Sequence, residues 1–287
     1  MIEPQSAAFR SLLFMPGTRP ELLSKAPRWR PDAVVLDLED AVAPDAKAEA
    51  RAAVVNHGTL RADGSAVLVR VNAPGSPWFE DDLRAVAGTD AAGLVLPKAE
   101  TPESVYSIAQ RLTELSPSAV LVVGIETARG ADNAKELLGA GATAAYFGAE
   151  DFIADMGGRR SNDGLEVLYA RSRVAIAGRL AGVPVIDQAV VNLDDDDGFL
   201  RDAEQGRGIG YVGKICIHPR QVALCHRAFT PTAAEVEHAG RVVRAVEQGV
   251  GVVDGSMVDG VHLRLAHHVL ARAASAVAEP STTEESP

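Results

Sequence analysis

Cysteine is nearly absent from this chain: two in 287 residues, Cys216 and Cys225. Two so placed make neither a disulfide framework nor a CxxC metal clip, and they read as buried thiols of a strand and a helix. No stretch approaches the ~20 apolar residues that cross a bilayer. The opening MIEPQSAAFR lacks the basic-then-apolar order of a secretory leader, so a cytoplasmic protein without a membrane role is expected. Cations are outnumbered, 28 Lys and Arg against 39 Asp and Glu, and the net charge of -11 argues against nucleic acid as a partner. An anionic ligand must then meet a local basic cluster, for which Arg10, Arg19 and Lys25 in the first loop are candidates. Neither G-x-S-x-G nor a P-loop occurs, which leaves serine hydrolysis and nucleotide phosphoryl transfer without support.

What the chain does have is eight short apolar runs, each ending in a charged or polar residue. They are SLLFMPG from Ser11, VVLDLED from Val34, VLVRVN from Val67, GLVLPK from Gly93, VLVVGIE from Val120, AAYFGAED from Ala144, VPVIDQ from Val183 and YVGKICIHP from Tyr211. Segments of helical spacing separate them, including 44–56, 79–87, 101–115, 131–138 and 165–181. Alternating strand and helix favours a parallel sheet with helical crossovers, and eight such units predict a closed (β/α)8 TIM barrel of the usual ~250 residues. The predicted organisation is a barrel over 8–228, a helical extension over 229–278 and a disordered tail over 279–287. In the extension, helices are predicted over 231–248 and 261–277, with GVGVVDGSMVDG as a glycine-rich link between them. The extension is expected to act as a lid.

Chemistry in such a barrel gathers where the strands end, and Arg70, Lys98, Glu126, Asp151 and His218 are predicted at that rim. Glu126 and Asp151 close the fifth and sixth runs, on neighbouring strands roughly 4.8 Å apart. Two carboxylates so close call for a shared proton or a cation, and oxygen-only donors with open positions suit Mg2+. A pair of capping or salt-bridged carboxylates is the alternative. Arg70 sits within an otherwise apolar strand and needs partners, for which Asp37, Glu39 and Asp40 are at hand. Lys98 is a second strand-end charge, equally compatible with a structural or a functional role. Asp194–Asp197 reads as a solvated run before a helix, and the histidines other than His218 as solvent-facing. A metal between carboxylates beside an arginine, with no evident nucleophile, suits polarising a carbonyl and stabilising an enolate, hence making or breaking carbon-carbon bonds.

The segments RSLLFMPGTRPELLSKA, DLEDAVAPDAKAEAR, VRVN, LPKAET, GIETARG, FGAEDF and GYVGKICIHPRQV, in this order from about Arg10 to Val269, resemble the citrate lyase beta-subunit-like group of the HpcH/HpaI aldolases. The resemblance implies a magnesium-dependent barrel acting on acyl-thioesters, with Glu126 and Asp151 as metal ligands and Arg70 holding the substrate oxyanion. It places Phe14, Lys25, Ile217 and His218 along the CoA site, and Asp37, Glu39 and Asp40 behind the metal and Arg70. Asp259 resembles a lid aspartate that enters a neighbouring subunit's site as acid or base, with Asp254 as the competing candidate. The implied partners are an acyl-CoA and a 2-oxo acid, and the implied assembly is a homotrimer or a multiple of one. The implied activity is a lyase that splits a malyl-CoA or citramalyl-CoA type substrate into acetyl-CoA and a 2-oxo acid. The alternatives are a malate-synthase-like transferase or thioesterase, a citryl-thioester lyase subunit acting in a complex, and a non-catalytic subunit or thioester-binding protein of a larger complex.

Overall fold

The computed structural model describes residues 9–115, 117–246 and 249–277. The tail expected over 279–287 and the opening residues 1–8 lie outside them. Eight parallel strands close into a barrel in sequence order. They are β1 (Ser11–Pro16), β2 (Ala33–Asp37), β3 (Ala66–Arg70), β4 (Gly93–Leu96), β5 (Val120–Ile125), β6 (Ala144–Phe147), β7 (Val185–Asp187) and β8 (Gly213–Cys216). The registers put Asp37 of β2 beside Arg70 of β3, and Leu13 of β1 beside Cys216 of β8, which closes the ring. The eight-stranded reading of the sequence is borne out.

Alternation along each strand decides what the barrel holds. Leu12, Val35, Leu68, Val95, Val122, Tyr146, Ile186 and Ile215 point inward and pack together. Two residues further on, the same inward rows carry Phe14, Asp37, Arg70, Gly124, Gly148 and Ile217 toward the carboxyl rim. The site is therefore an extension of the core, built on the strands that the core locks.

The helices following these strands are α1 (Lys47–Asn56), α2 (Phe79–Ala87), α3 (Pro102–Leu115), α4 (Ala128–Asp132), α5 (Ala134–Gly139), α6 (Ala149–Asp155), α7 (Leu165–Ala181), α8 (Asp196–Ile209) and α9 (Arg220–Phe229). A 3-10 helix, Pro20–Arg28, follows β1. The acidic run read as a solvated loop begins α8, where Asp195 caps the helix by accepting from the Gly198 N–H at 2.7 Å. Between strands and helices lies a charge cluster absent from the sequence reading. Arg171 and Lys214, both fully buried, share Asp187 and Asp202.

Contacts divide the chain into two compact units, Met1–Arg227 and Ala228–Pro287. The second contains α10 (Ala233–Val246), strands β9 (Gly251–Val253) and β10 (Ser256–Val258), and α11 (Gly260–Val277). Val242, Val246, Val253, Val258 and Ala266 form its own apolar core. The expected glycine-rich link is thus corrected to an antiparallel hairpin. Its two loop residues, Asp254 and Gly255, both have positive φ (50° and 79°), the backbone of a tight hairpin turn that favours Asp-Gly.

Candidate active site

Arg70 ends β3 with its guanidinium buried. Its Nε donates to Asp37 Oδ1 at 2.7 Å and its Nη2 to Oδ2 at 2.6 Å, a bidentate pair across adjacent strands. Nη1 lies 3.0 Å from Glu39, and Nη2 lies 3.5 Å from Asp40. The ring of Phe14 stacks against the guanidinium at 5.0 Å and meets Tyr146 edge-on. Burial opposes the charge, but the Asp37 hydrogen bonds outweigh it and hold Arg70 protonated well above the usual arginine range. The cation is fixed in place, with Asp37 itself anchored by the N–H groups of Glu39 and Ala41.

Glu126 follows β5 directly and is 1% exposed. The Tyr146 hydroxyl donates to its Oε1. Its Oε2 is buried without a hydrogen-bond partner. Desolvation first, then the neighbouring Glu39 charge, pushes the Glu126 carboxyl up to about 8, and burial likewise raises Glu39 to about 7. Glycines make the room. A Cβ at Gly124 would sit 2.5 Å from Glu126 Oε1, and one at Gly148 would sit 2.6 Å from Glu126 Cγ.

Asp151 differs from its expected place. β6 stops at Phe147, and Asp151 lies in the first turn of α6, where an acidic side chain favours the helix N-terminus. It still faces the same space as Glu126, through Lys98. That ammonium lies 2.7 Å from Glu39, 3.2 Å from Asp151 and 3.8 Å from Glu126. Burial pulls the lysine down, but these carboxylates hold it above its usual range. Lys98 has φ 48°, a left-handed backbone that turns its side chain out of strand alternation and into the acidic cluster.

These groups open onto a cavity of about 310 Å3 that Arg70, Glu126, Tyr146 and Asp151 line with Phe14 and Ile217. Phe14 and Ile217 therefore meet the site. His218 is exposed beyond β8, its N–H and that of Ile217 donating to the buried Gln221. Lys25 is exposed on the 3-10 helix, and neither it nor His218 lines this cavity. In the second unit, Asp259 precedes α11 and accepts from the Val261 and His262 N–H groups and pairs with His262 Nδ1, all through Oδ1. Asp254 is bound by Arg241 and His238.

Tyr146, Gly124 and Gly148 escaped the sequence reading. Arg160 did too: it pairs with Glu150 at the cavity edge and reaches Gln188 at 3.3 Å. His226, read as solvent-facing, is corrected to a half-buried partner of Ser11 and Asp32 near the amino ends of β1 and β2. Both partners meet the same Nε2, so this Ser-His-Asp group lacks the two-nitrogen relay that a hydrolytic triad requires.

Among the described residues no group of three or more His, Cys, Asp or Glu is arranged to hold a metal. Two carboxylates on one cavity, one with an orphaned buried oxygen, nevertheless fit a hard divalent cation that keeps water and substrate oxygens as its remaining ligands. No described helix is long and apolar enough to cross a membrane.

A family profile described as HpcH/HpaI aldolase/citrate lyase matches residues 10–219. A citrate lyase subunit beta-like protein of Deinococcus radiodurans is 47% identical over 280 residues, covering 93% of this chain and 98% of that protein. A (3S)-malyl-CoA thioesterase of Cereibacter sphaeroides is 34% identical over 277 residues, covering 94% and 96%. Among solved structures, protein CitE of Mycobacterium tuberculosis in complex with magnesium, acetoacetate and coenzyme A aligns with a TM-score of 0.81 at 34% identity, covering 93% of this chain and 99% of that one.

Proposed function

The chain belongs to the HpcH/HpaI aldolase/citrate lyase family, and we propose that it is a magnesium-dependent carbon-carbon lyase. The substrate is a 3-hydroxy-carboxyacyl-CoA of the malyl-CoA or citramalyl-CoA type, and the products are acetyl-CoA and a 2-oxo acid. The observation that carries this reading is the pairing of the orphaned Glu126 oxygen and Asp151 on one cavity beside the buried Arg70. A similar solved structure holds magnesium, acetoacetate and coenzyme A, which supports the metal and the ligand class.

Glu126 and Asp151 hold the magnesium, which when bound supplies Lewis-acid polarisation of the substrate oxygens. Tyr146 fixes the Glu126 carboxyl through its hydroxyl. Arg70, unable to lose its proton and locked by Asp37, keeps a positive charge beside the oxygen on which negative charge grows as the carbon-carbon bond breaks. Asp37, Glu39 and Asp40 act from behind, by orienting Arg70 and Lys98. Phe14 and Ile217 give the cavity an apolar lip for the thioester arm, with Lys25 and His218 further out toward the anionic end of CoA. The extension serves as the lid, and Asp259 moves the proton to and from the acetyl-CoA carbon, leaving Asp254 to its salt bridge with Arg241. A homotrimer, or a multiple of one, lets a neighbour supply this lid.

The deciding assay follows magnesium-dependent cleavage of malyl-, citramalyl- and citryl-CoA, with the 2-oxo acid and thioester identified. Acetyl-CoA recovered from the hydroxyacyl-CoA is the expected result. Free CoA released instead overturns lyase for thioesterase, the second reading, favoured by the (3S)-malyl-CoA thioesterase relative. Turnover that needs an added protein identifies a subunit of a complex. Asp259→Asn should slow turnover and proton exchange into the acetyl methyl, with Asp254→Asn close to wild type; the reverse pattern reassigns the lid residue.

A further inference from the structure

Two cations serve the acidic cluster, and they are held differently. Arg70 is locked by its bidentate pair with Asp37. Lys98 is a point charge on a flexible four-carbon stem, spread over four carboxylates by contacts of graded length. Its Nζ donates hydrogen bonds to Glu39 Oε1 at 2.7 Å and, over a long 3.5 Å, to both oxygens of Asp40. Asp151 at 3.2 Å and Glu126 at 3.8 Å are reached as ion pairs without a hydrogen bond. The two carboxylates that Lys98 holds by charge alone are the two assigned to the divalent ion.

The oxygens coincide as well. In the ion pair with Glu126 the ammonium faces Oε2, the buried atom that no hydrogen bond uses. Among the described residues no group of three or more acids or histidines is arranged around a metal position, whereas four acids surround this one ammonium. Lys98 reaches its place through a backbone φ of 48°. A residue with a Cβ is seldom held there unless the structure around it requires it.

We infer that Lys98 is the resident counter-cation of the metal site, resting on the assignment of Glu126 and Asp151 as the metal's ligands. Its ammonium serves these two carboxylates until a divalent ion takes them, and it then withdraws onto Glu39 and Asp40. In the empty site the ammonium keeps the acids from repelling one another. On loading it is the charge that the ion must displace, so Lys98 sets the affinity for the metal. Neither contact given up is a hydrogen bond, and the anchor on Glu39 is kept.

The test titrates Mn2+ into the metal-stripped full chain and follows it by electron paramagnetic resonance. Lys98→Met keeps the stem and removes the charge, and it should bind Mn2+ tighter than wild type, on the order of 10-fold. Lys98→Asn, which suits the left-handed backbone, should do the same, and Lys98→Arg, which keeps the charge, should not. A lysine that only props the loops would give the opposite sign, because its loss would slacken the ligands. Glu126→Gln tests the premise separately: it should weaken Mn2+ binding by ~10-fold or more, and unchanged binding overturns the metal assignment. With that assignment standing, affinity equal to or weaker than wild type in both Lys98→Met and Lys98→Asn, or tighter binding by Lys98→Arg, overturns the role of Lys98 alone. A crystal structure with Mn2+ should show Nζ still on Glu39 but outside the ~4 Å ion-pair reach of Asp151 and Glu126; an unmoved ammonium beside a bound ion overturns the exchange.

Discussion

Glu126→Gln should make the metal-free protein more stable at pH 8 while abolishing its turnover. The amide keeps the shape of the carboxyl and an oxygen to accept from Tyr146, but it cannot ionise. In the folded wild type, burial and the Glu39 charge raise the Glu126 pKa from 4.5 to about 8. The unfolded chain releases the same proton near 4.5, so between these values the folded state binds more protons. Folding stability therefore falls as pH rises through that window. Each unit is about 1.4 kcal/mol, which puts the loss at roughly 3–5 kcal/mol by pH 8. At roughly 2–4 °C per kcal/mol for a domain of this class, the variant should melt on the order of 10 °C above wild type at pH 8 and level with it near pH 4.5. Differential scanning calorimetry in a chelating buffer from pH 5 to 8.5 reads the difference. Added magnesium should narrow it, by stabilising the wild type alone. A melting difference that does not change with pH, or a variant less stable than wild type at pH 8, refutes the claim that Glu126 is a costly buried carboxyl held in reserve for a cation.

Two further perturbations separate the site from its scaffold. Gly148→Ala suits the local backbone (φ -98°, ψ 92°), but its Cβ would lie 2.6 Å from Glu126 Cγ. Steady-state kinetics should show kcat lowered on the order of 100-fold by the displaced carboxylate, with circular dichroism unchanged; wild-type kcat would mean that Glu126 needs no such fit. Lys214→Met leaves Asp187 and Asp202 without one of their two shared cations, and none of these three lines the cavity. Removing one member of a buried ion cluster costs about 3–5 kcal/mol, which urea denaturation at pH 7 should register, and a loss below 1 kcal/mol would show the cluster to be dispensable.

Much of this arrangement is written in alternation. Once β2 and β3 are recognised, Asp37 and Arg70 each stand two residues beyond an inward apolar residue, so their pairing follows from register. The same rule hides Tyr146. A tyrosine in AAYF reads as filling, and only the closed ring brings its hydroxyl to a carboxylate twenty residues earlier. Gly124 and Gly148 are opaque for a related reason: their value lies in the room they leave for Glu126, two residues beyond Gly124 on β5 and across from Gly148 after β6. Asp151 was displaced from strand end to helix because AAYF ends in a Gly-Ala step and the acidic Glu150-Asp151 pair suits a first helical turn. The hairpin of the second unit did carry a signal. Asp254-Gly255 between apolar residues is a hairpin turn, and the abundance of glycine around it masked the pattern.

The cluster explains why the cavity wants a cation. Asp37, Glu39, Asp40, Glu126 and Asp151 converge, and their ion pairs come from Arg70 and Lys98. Asp37 satisfies Arg70 through two hydrogen bonds, leaving Lys98 in contact with the other four carboxylates. Burial favours the neutral acids and one ammonium shared among four does not offset it, so the most buried of them, Glu126 and Glu39, retain protons to about pH 8 and 7. A divalent ion removes the need for those protons, and it does so at the oxygen that no hydrogen bond uses. Arg70 favours the ionised forms of Glu39 and Glu126 without offsetting their burial in the resting site. Its fixed charge is worth most when a new negative oxygen forms beside it, which is the condition a bond-breaking transition state meets and a bound ground state does not.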